Sequence, residues 1–265
     1  MRRTWTRRRL LGAAALLTGW CGLPARLRAQ RPVVRIGWTD GAGAVDEGVQ
    51  LGAEEAIRLL GLLGGTFTLE HARAGVGGLR DLHRRGVTGV VLSSTPEDAA
   101  AVAQEAGFTG AVLAAAPGEA APPAFAVATP PSARAAALQR WAARQGAHAP
   151  RIAAAPTRAR GVVWAVDWHP ALDRNGGAQL EDRYQHRFRH PMSEAAWHGW
   201  VAVKAAAEAA LRARDGDLGS ALRKLTLDAH VGAPLRFDLR AVLVHPLFVV
   251  RGDGSEDGAL VGPVG

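Results

Sequence analysis

Cysteine is nearly absent: the chain of 265 residues holds one, Cys21. It lies in an N-terminal stretch that reads as a removable leader. The remainder is therefore expected to carry no thiol, no disulfide and no cysteine-held metal, and to depend on its core for stability. Lysine is scarce as well, with Lys204 and Lys224 set against many arginines and alanines. That bias matches genome composition and says little about function. Acidic residues are missing from the first 29 positions, which carry seven arginines at 2, 3, 7, 8, 9, 26 and 28. Without those seven, the formal charge of +8 falls to +1. The isoelectric point near 11 thus belongs to the leader, and the balance does not support nucleic-acid binding.

A long apolar run is also missing. Leu10 to Leu17 follows the basic start but is too short to span a bilayer as a stable helix. Thr6-Arg7-Arg8-Arg9-Leu10-Leu11 resembles a twin-arginine (Tat) signal. Residues 1–29 are read as that signal, cleaved after Ala29, which makes the protein periplasmic. Leu27 is larger than the residue usually found three positions before a cleavage site, and the alternative is an uncleaved anchor. Lipidation at Cys21 is disfavoured, because Trp20 stands where a small residue is needed.

Catalytic signatures are absent. No Gly-x-Ser-x-Gly elbow and no HExxH occur, and no base accompanies the serines in sequence. The loop GAGAVDEG is neither GxGxxG in register nor a phosphate loop, and Asp46 and Glu47 would repel phosphate. His186 and His190 have metal-ligand spacing, but Arg183, Arg187 and Arg189 beside them favour a solvated basic face. The expectation is a non-enzyme with no catalytic residue, no cofactor and no metal.

What is present is alternation of strand and helix. Gly86 to Pro117 reads as strand, polar loop, helix and strand: a β-branched run ending at Leu92, Ser93 and Ser94, then Thr95 as N-cap with Pro96, Glu97 and Asp98 in the first turn. Gly107 is placed to end that helix, and the next strand starts at Ala111. Ahead of it come a strand to Trp38, the Gly-rich loop Thr39 to Val45, a helix over 46–60, a strand over 66–71 and a helix over 78–85. This βαβαβαβ order predicts a mostly parallel sheet covered by helices on both faces. Ligands of such sheets sit at the strands' carboxyl ends, so Ser93 to Thr95 and Ala114 to Pro117 are expected to border a small-molecule cleft.

Further on, a short strand is expected at Ala124 to Val127 and a helix from a Ser132 cap to Gln145. No clear period appears over Arg151 to Arg160, and Gly161 to Val166 is a strong strand. Helices are expected over 179–189, 193–212 and 217–225, strands over 234–238 and 247–251, and a loose tail from Gly252. Trp164 and Trp168, with Asp167 and His169 between and beside them, either wall a ligand by stacking or pack the interior. Trp197 and Trp200 are expected in the core.

The order of these motifs resembles the type 1 periplasmic solute-binding proteins of ABC transporters, the branched-chain amino-acid or leucine-binding family. The likeness rests on VVRIGW, GVQLGAEEAI, GVVLSST, PPSARAAAL, AAWHGWVAVKAAAEAAL, DLGSALRKL and GAPLRFD. DWHPALDRNGGAQLEDRY with the Trp-x-x-Trp helix looks closest to a subgroup associated with PQQ-dependent alcohol dehydrogenase systems. The resemblance implies an α/β fold of two Rossmann-like lobes closing on a ligand. Lobe 1 is complete (about 30–128 and 190–240), and lobe 2 is reduced (about 129–189 and 241–265). It implies a small polar solute held by Ser93, Ser94, Thr95, Thr39, Ala115, Ala116, Trp164 and Trp168, and an ABC permease in the inner membrane as partner. Alanines stand at 114–116 where the family has a hydroxyl, so only backbone groups are expected from that loop. The alternative reading is a non-transporting accessory or sensor of PQQ-dependent alcohol oxidation, partnered by a periplasmic dehydrogenase.

Overall fold

The computed structural model describes residues 32–264, except 42, 147–149, 174–175 and 214–215. The expected leader, its cleavage site and Cys21 lie outside the described residues.

Five parallel strands make the first sheet: β1 (Val33–Thr39), β2 (Thr66–Ala72), β3 (Gly89–Leu92), β4 (Ala111–Ala114) and β5 (Phe125–Ala126), in the order β2-β1-β3-β4-β5. β3 and β4 are buried at every position, which is why their sequences are unbroken apolar runs. Side-chain alternation divides them between two cores. Val90, Leu92, Val112 and Ala114 face α2 (Val76–Arg84) and α3 (Pro96–Ala106), while Val91 and Leu113 face α1 (Ala44–Leu62). All strand ends of one sense lie on one side, so the loops after β1, β3 and β4 share a rim.

A second long helix, α6 (Glu194–Ala210), lies against α1 at very short range. A Cβ on Gly48 would stand 1.8 Å from the Ala196 carbonyl oxygen, and one on Gly199 would stand 2.3 Å from that of Val45. Glycine at both positions is what allows the two backbones to touch. The helix α5 (Gly177–Phe188) is tied to α1 by Arg183–Glu55 at 2.8 Å and Arg187–Glu54 at 3.1 Å.

The second sheet has the order β11-β10-β7-β6, from β6 (Arg151–Ile152), β7 (Val162–Val166), β10 (Phe248–Arg251) and β11 (Ala259–Pro263). The helix α4 (Pro131–Arg144) covers one face, with Leu138 and Trp141 packed on Val163, Ala165 and Val249. The other face, Trp164, Val166, Phe248 and Val250, joins the same apolar core as Ile36 and Trp197 of the first sheet's side. A hairpin of β8 (Arg236–Phe237) and β9 (Leu243–Val244), preceded by α7 (Leu218–Arg223), attaches to the first sheet where Ala126 pairs with Val242. Pro32 to Gly265 is one compact unit.

Several expectations are corrected. The first sheet is parallel as expected, and the second is mixed: β6 pairs parallel with β7, while β10 runs antiparallel to β7 and β11. The tail is not loose, because Ala259–Pro263 closes that sheet's edge as β11. The aperiodic stretch Arg151 to Arg160 contributes the two-residue β6, too short to show a period. Ser132 does not cap α4. Pro130 occupies the N-cap and Pro131 the first turn, their fixed φ suiting a helix start, and the Ser132 hydroxyl donates to Glu119 at 2.7 Å. Trp197 and Trp200 are buried, as expected. Among the described residues no helix is long and apolar enough to cross a membrane.

Candidate functional site

The rim of the first sheet is built as its sequence implies, but its polar groups are largely engaged. Thr95 caps α3: its hydroxyl accepts from the Asp98 backbone N–H at 3.3 Å and donates to the Asp98 carboxylate at 3.1 Å. The Ala115 N–H donates to the Leu92 carbonyl and the Ala116 N–H to that of Ser94, so the backbone donors expected from the alanine loop are spent internally. Thr39 is buried at the end of β1. The Ser93 hydroxyl is buried with no hydrogen-bond partner among the described residues. It lies directly beneath the Gly-rich loop, where a Cβ on Gly41 would approach its oxygen to 2.0 Å. Asp46 holds that loop down. Its carboxylate accepts from the Gly41 N–H at 3.1 Å and from the Trp38 indole at 3.2 Å, while burial raises its pKa.

A cavity of about 570 Å³ opens between the carboxyl end of β7 and the N-terminus of α6. Trp164, Trp168, His169 and Pro170 line one side, Met192 to Ala195 the other, and Glu256 and Asp257 the mouth. Of the eight residues singled out in the sequence, Trp164 and Trp168 border this cavity; Ser93, Ser94, Thr95, Thr39, Ala115 and Ala116 do not. The two tryptophans are also deeply packed, exposed by only 2% and 1%. Trp168 stacks on Trp197 with ring centroids 6.2 Å apart and donates its indole N–H to the Met192 carbonyl. Both side chains border the cavity and both are packed in the core.

Behind the cavity lies a group that its sequence does not announce. Asp167, directly after β7, is fully buried. One carboxylate oxygen, Oδ2, accepts from the Thr129 N–H at 2.9 Å, from Arg134 at 2.5 Å and from His198 Nε2 at 2.7 Å. The other, Oδ1, has no hydrogen-bond donor among the described residues, with His245 Nε2 3.7 Å away. Burial alone would push this carboxyl up. The nearby His245 ring, the hydrogen bond from His198 and the Arg134 guanidinium outweigh it and hold the group far below the usual carboxylate range. Arg134 bridges onward to Glu194 at 2.8 Å. Asp167, Glu194 and His198 offer ligand atoms within 4.8 Å of one another. The Arg134 guanidinium, bonded to both carboxylates, already supplies the positive charge that a metal would bring.

The expected pair His186 and His190 is separated. α5 ends at Phe188, Arg189 turns left-handed at φ 68°, and His190 leaves the helix to meet Glu47. Arg183 and Arg187 face Glu55 and Glu54, so this basic face is matched by acid rather than simply solvated.

Five parallel strands with this order, a mixed second sheet and three chain crossings between them form a recognised arrangement. The solute-binding protein of an ABC transporter from Rhodopseudomonas palustris BisB5, solved with 3,4-dihydroxybenzoic acid, superposes with a TM-score of 0.68 at 11% identity over 88% of this chain and 97% of that one. The fold is that of the type 1 periplasmic binding proteins. The leucine-, isoleucine-, valine-, threonine- and alanine-binding protein of Brucella ovis, in its closed conformation, gives 0.68 at 11% identity over 87% and 94%. The branched-chain amino-acid substrate-binding protein of Streptococcus pneumoniae, in complex with isoleucine, gives 0.60 at 14% over 87% and 100%. No protein-family model and no curated protein matches the chain. Among the described residues, α4 covers one face of the second sheet.

Proposed function

We propose that the chain is an exported solute-binding protein of an ABC importer, not an enzyme, and that it holds a small polar organic solute between a complete first lobe and a reduced second lobe. The observation that carries this is the cavity at the carboxyl end of β7, placed where open α/β sheets bind ligands. The shared fold supports it. In this reading the N-terminal segment is a Tat signal, the protein works in the periplasm, and an inner-membrane permease is its partner. Trp164 and Trp168 supply apolar edges and His169 and Glu194 polar contacts; Ser93 and Ser94, which lie outside this cavity, are the candidate contacts if the solute sits at the first sheet's own rim.

A thermal-shift screen of isoleucine, 3,4-dihydroxybenzoate, short-chain acids and alcohols tests the reading. A true ligand at a hundredfold excess over its Kd stabilises by about 2.7 kcal/mol, which raises Tm by several degrees. Replacing His169 with Ala should abolish that rise, whereas its loss on replacing both Ser93 and Ser94 with Ala would place the solute at the serine loop instead. A rise that survives all three changes places the solute elsewhere.

A second reading is favoured by the engaged rim. With Thr95 spent as a cap and the Ala115 and Ala116 N–H groups spent internally, the first lobe offers few free donors. This suits a non-transporting accessory of PQQ-dependent alcohol oxidation that keeps the fold without tight binding. No shift with any compound, together with capture of a periplasmic dehydrogenase, would decide for it.

A further inference from the structure

The chain passes between the two sheets three times, and each passage delivers one residue to the same buried carboxylate. The first, from β5 to α4, contains Thr129, whose backbone N–H donates to Asp167. The second, from β7 to α5, contains Asp167 itself. The third, from β9 to β10, contains His245, whose Nε2 meets the Thr129 hydroxyl at 3.2 Å and stands 3.7 Å from Asp167 Oδ1. Two helices complete the cluster. Arg134 comes from α4 on the second sheet, and Glu194 and His198 come from α6 on the first.

We propose that this cluster is an interlobe lock, which fixes the two sheets at one angle and makes the molecule a preformed receptor rather than a hinge that opens and closes. Hinge closure works through φ and ψ changes in the crossing segments. In the first two crossings those torsions are held by charge-assisted hydrogen bonds to the backbone itself, and the third is tied through the His245 side chain. The Thr129 N–H is bound by Asp167, the Thr129 carbonyl by the Arg134 Nε at 3.2 Å, and the Asp167 N–H by Glu194. Bending the first or second crossing strands a buried ion, and removing one partner from such a group is strongly destabilising. The apolar core acts in the same sense. It runs without a break from β1 through α6 to β7 and β10, and the stacked pair Trp168 and Trp197 joins the two sides. Exposed Glu119, on the loop after β4, adds a tie across the first crossing by accepting from the Ser132 N–H and hydroxyl.

The test needs no solute, so its outcome is independent of the binding reading. Spin labels on cysteines introduced at Gln104 in α3 and Gln139 in α4, both exposed, report the interlobe distance by pulsed electron resonance. The parent chain should give one narrow distance distribution. Asp167→Asn should broaden it or add a second, longer distance, while His198→Gln, whose amide can still donate to Asp167, should stay near the parent. Thr129→Pro removes the N–H that the first crossing donates to Asp167, together with the hydroxyl that meets His245, and should also broaden the distribution if the variant keeps its helical circular dichroism. A broad or two-peaked distribution in the parent chain would overturn the lock. So would an Asp167→Asn variant that is folded and as narrow as the parent. If Asp167→Asn fails to fold, the parent distribution alone decides.

Discussion

At the scale of single residues, the best-defined ionisation outside the lock belongs to Tyr184. Its ring is fully buried and its hydroxyl donates to Glu47 on α1. Burial first, then the adjacent Glu47 carboxylate, raise the phenol far above its ordinary value. The sign of the linkage follows. A group whose folded pKa lies above its unfolded value adds stability below the unfolded value, about 10 for tyrosine, and loses that contribution as pH rises through the folded one. Tyr184→Phe should therefore lower stability at neutral pH by roughly 1.5–3 kcal/mol, the worth of a hydrogen bond to a charged acceptor. In urea unfolding curves, the gap between variant and parent should stay constant below about pH 10 and narrow above it. A gap that widens with rising pH would contradict this assignment. Asp167 works in the opposite direction. Its folded pKa is lowered, so its contribution is complete above the unfolded carboxylate value of about 3.9 and is lost only in strong acid. Asp167→Asn should cost about 3–5 kcal/mol at neutral pH, as for breaking a buried pair, with most of that difference still present at pH 5.

At the scale of elements, α1 and α6 form the joint on which the first lobe is built, and the joint depends on small residues. Gly48→Ala would drive a Cβ into the Ala196 carbonyl, whereas the same change at Gly61, near the end of the same helix, meets nothing within 4 Å. The expected outcomes have opposite signs. Gly48→Ala should destabilise by at least about 1–3 kcal/mol, through overpacking against backbone that cannot yield. Gly61→Ala should stabilise by about 0.5–1 kcal/mol, through the lower helix cost of alanine. Urea titrations of the two variants in parallel check this, and a neutral Gly48→Ala would mean that the helices sit farther apart. Elements were legible where a local signal sufficed. Thr95, Pro96 and Gly107 bracket α3 as their chemistry dictates, and Ser193 caps α6. β6 and β11 were not legible, because a short edge strand is defined by its partner rather than by its own pattern. The lock was invisible for a related reason. Thr129, Asp167, His198 and His245 are scattered over more than a hundred positions, and only the three chain crossings and the packing of α6 bring them together. Ser93 follows β3 at the strand's carboxyl end, and the loop after β1, with Gly41 against its hydroxyl, covers it; its own sequence carries no sign of that cover.

At the scale of the whole molecule, the question is whether two sheets make two folding units. A two-lobed receptor with a wet cleft between independent cores would unfold lobe by lobe, since interfaces of that kind behave like transient contacts. This chain is arranged otherwise. The inner face of the second sheet, Trp164, Val166, Phe248 and Val250, belongs to the core shared with β1, α1 and α6, and only the outer face has a small core of its own under α4. That outer core, with Leu138 and Trp141 as its large side chains, is too small to hold four strands without the shared one. Heat or urea should therefore unfold the protein in a single cooperative transition. Tryptophan fluorescence, dominated by the shared core, should coincide with circular dichroism, which averages both halves. The discriminating variant is Trp168→Ala. It cuts the contact between the halves at the stacked pair with Trp197 while leaving both sheets their own strands. It should cost about 3–5 kcal/mol and shift the two probes together. Separation of the probes in the parent chain would show that the halves fold independently, and the continuous core would then not be what couples them.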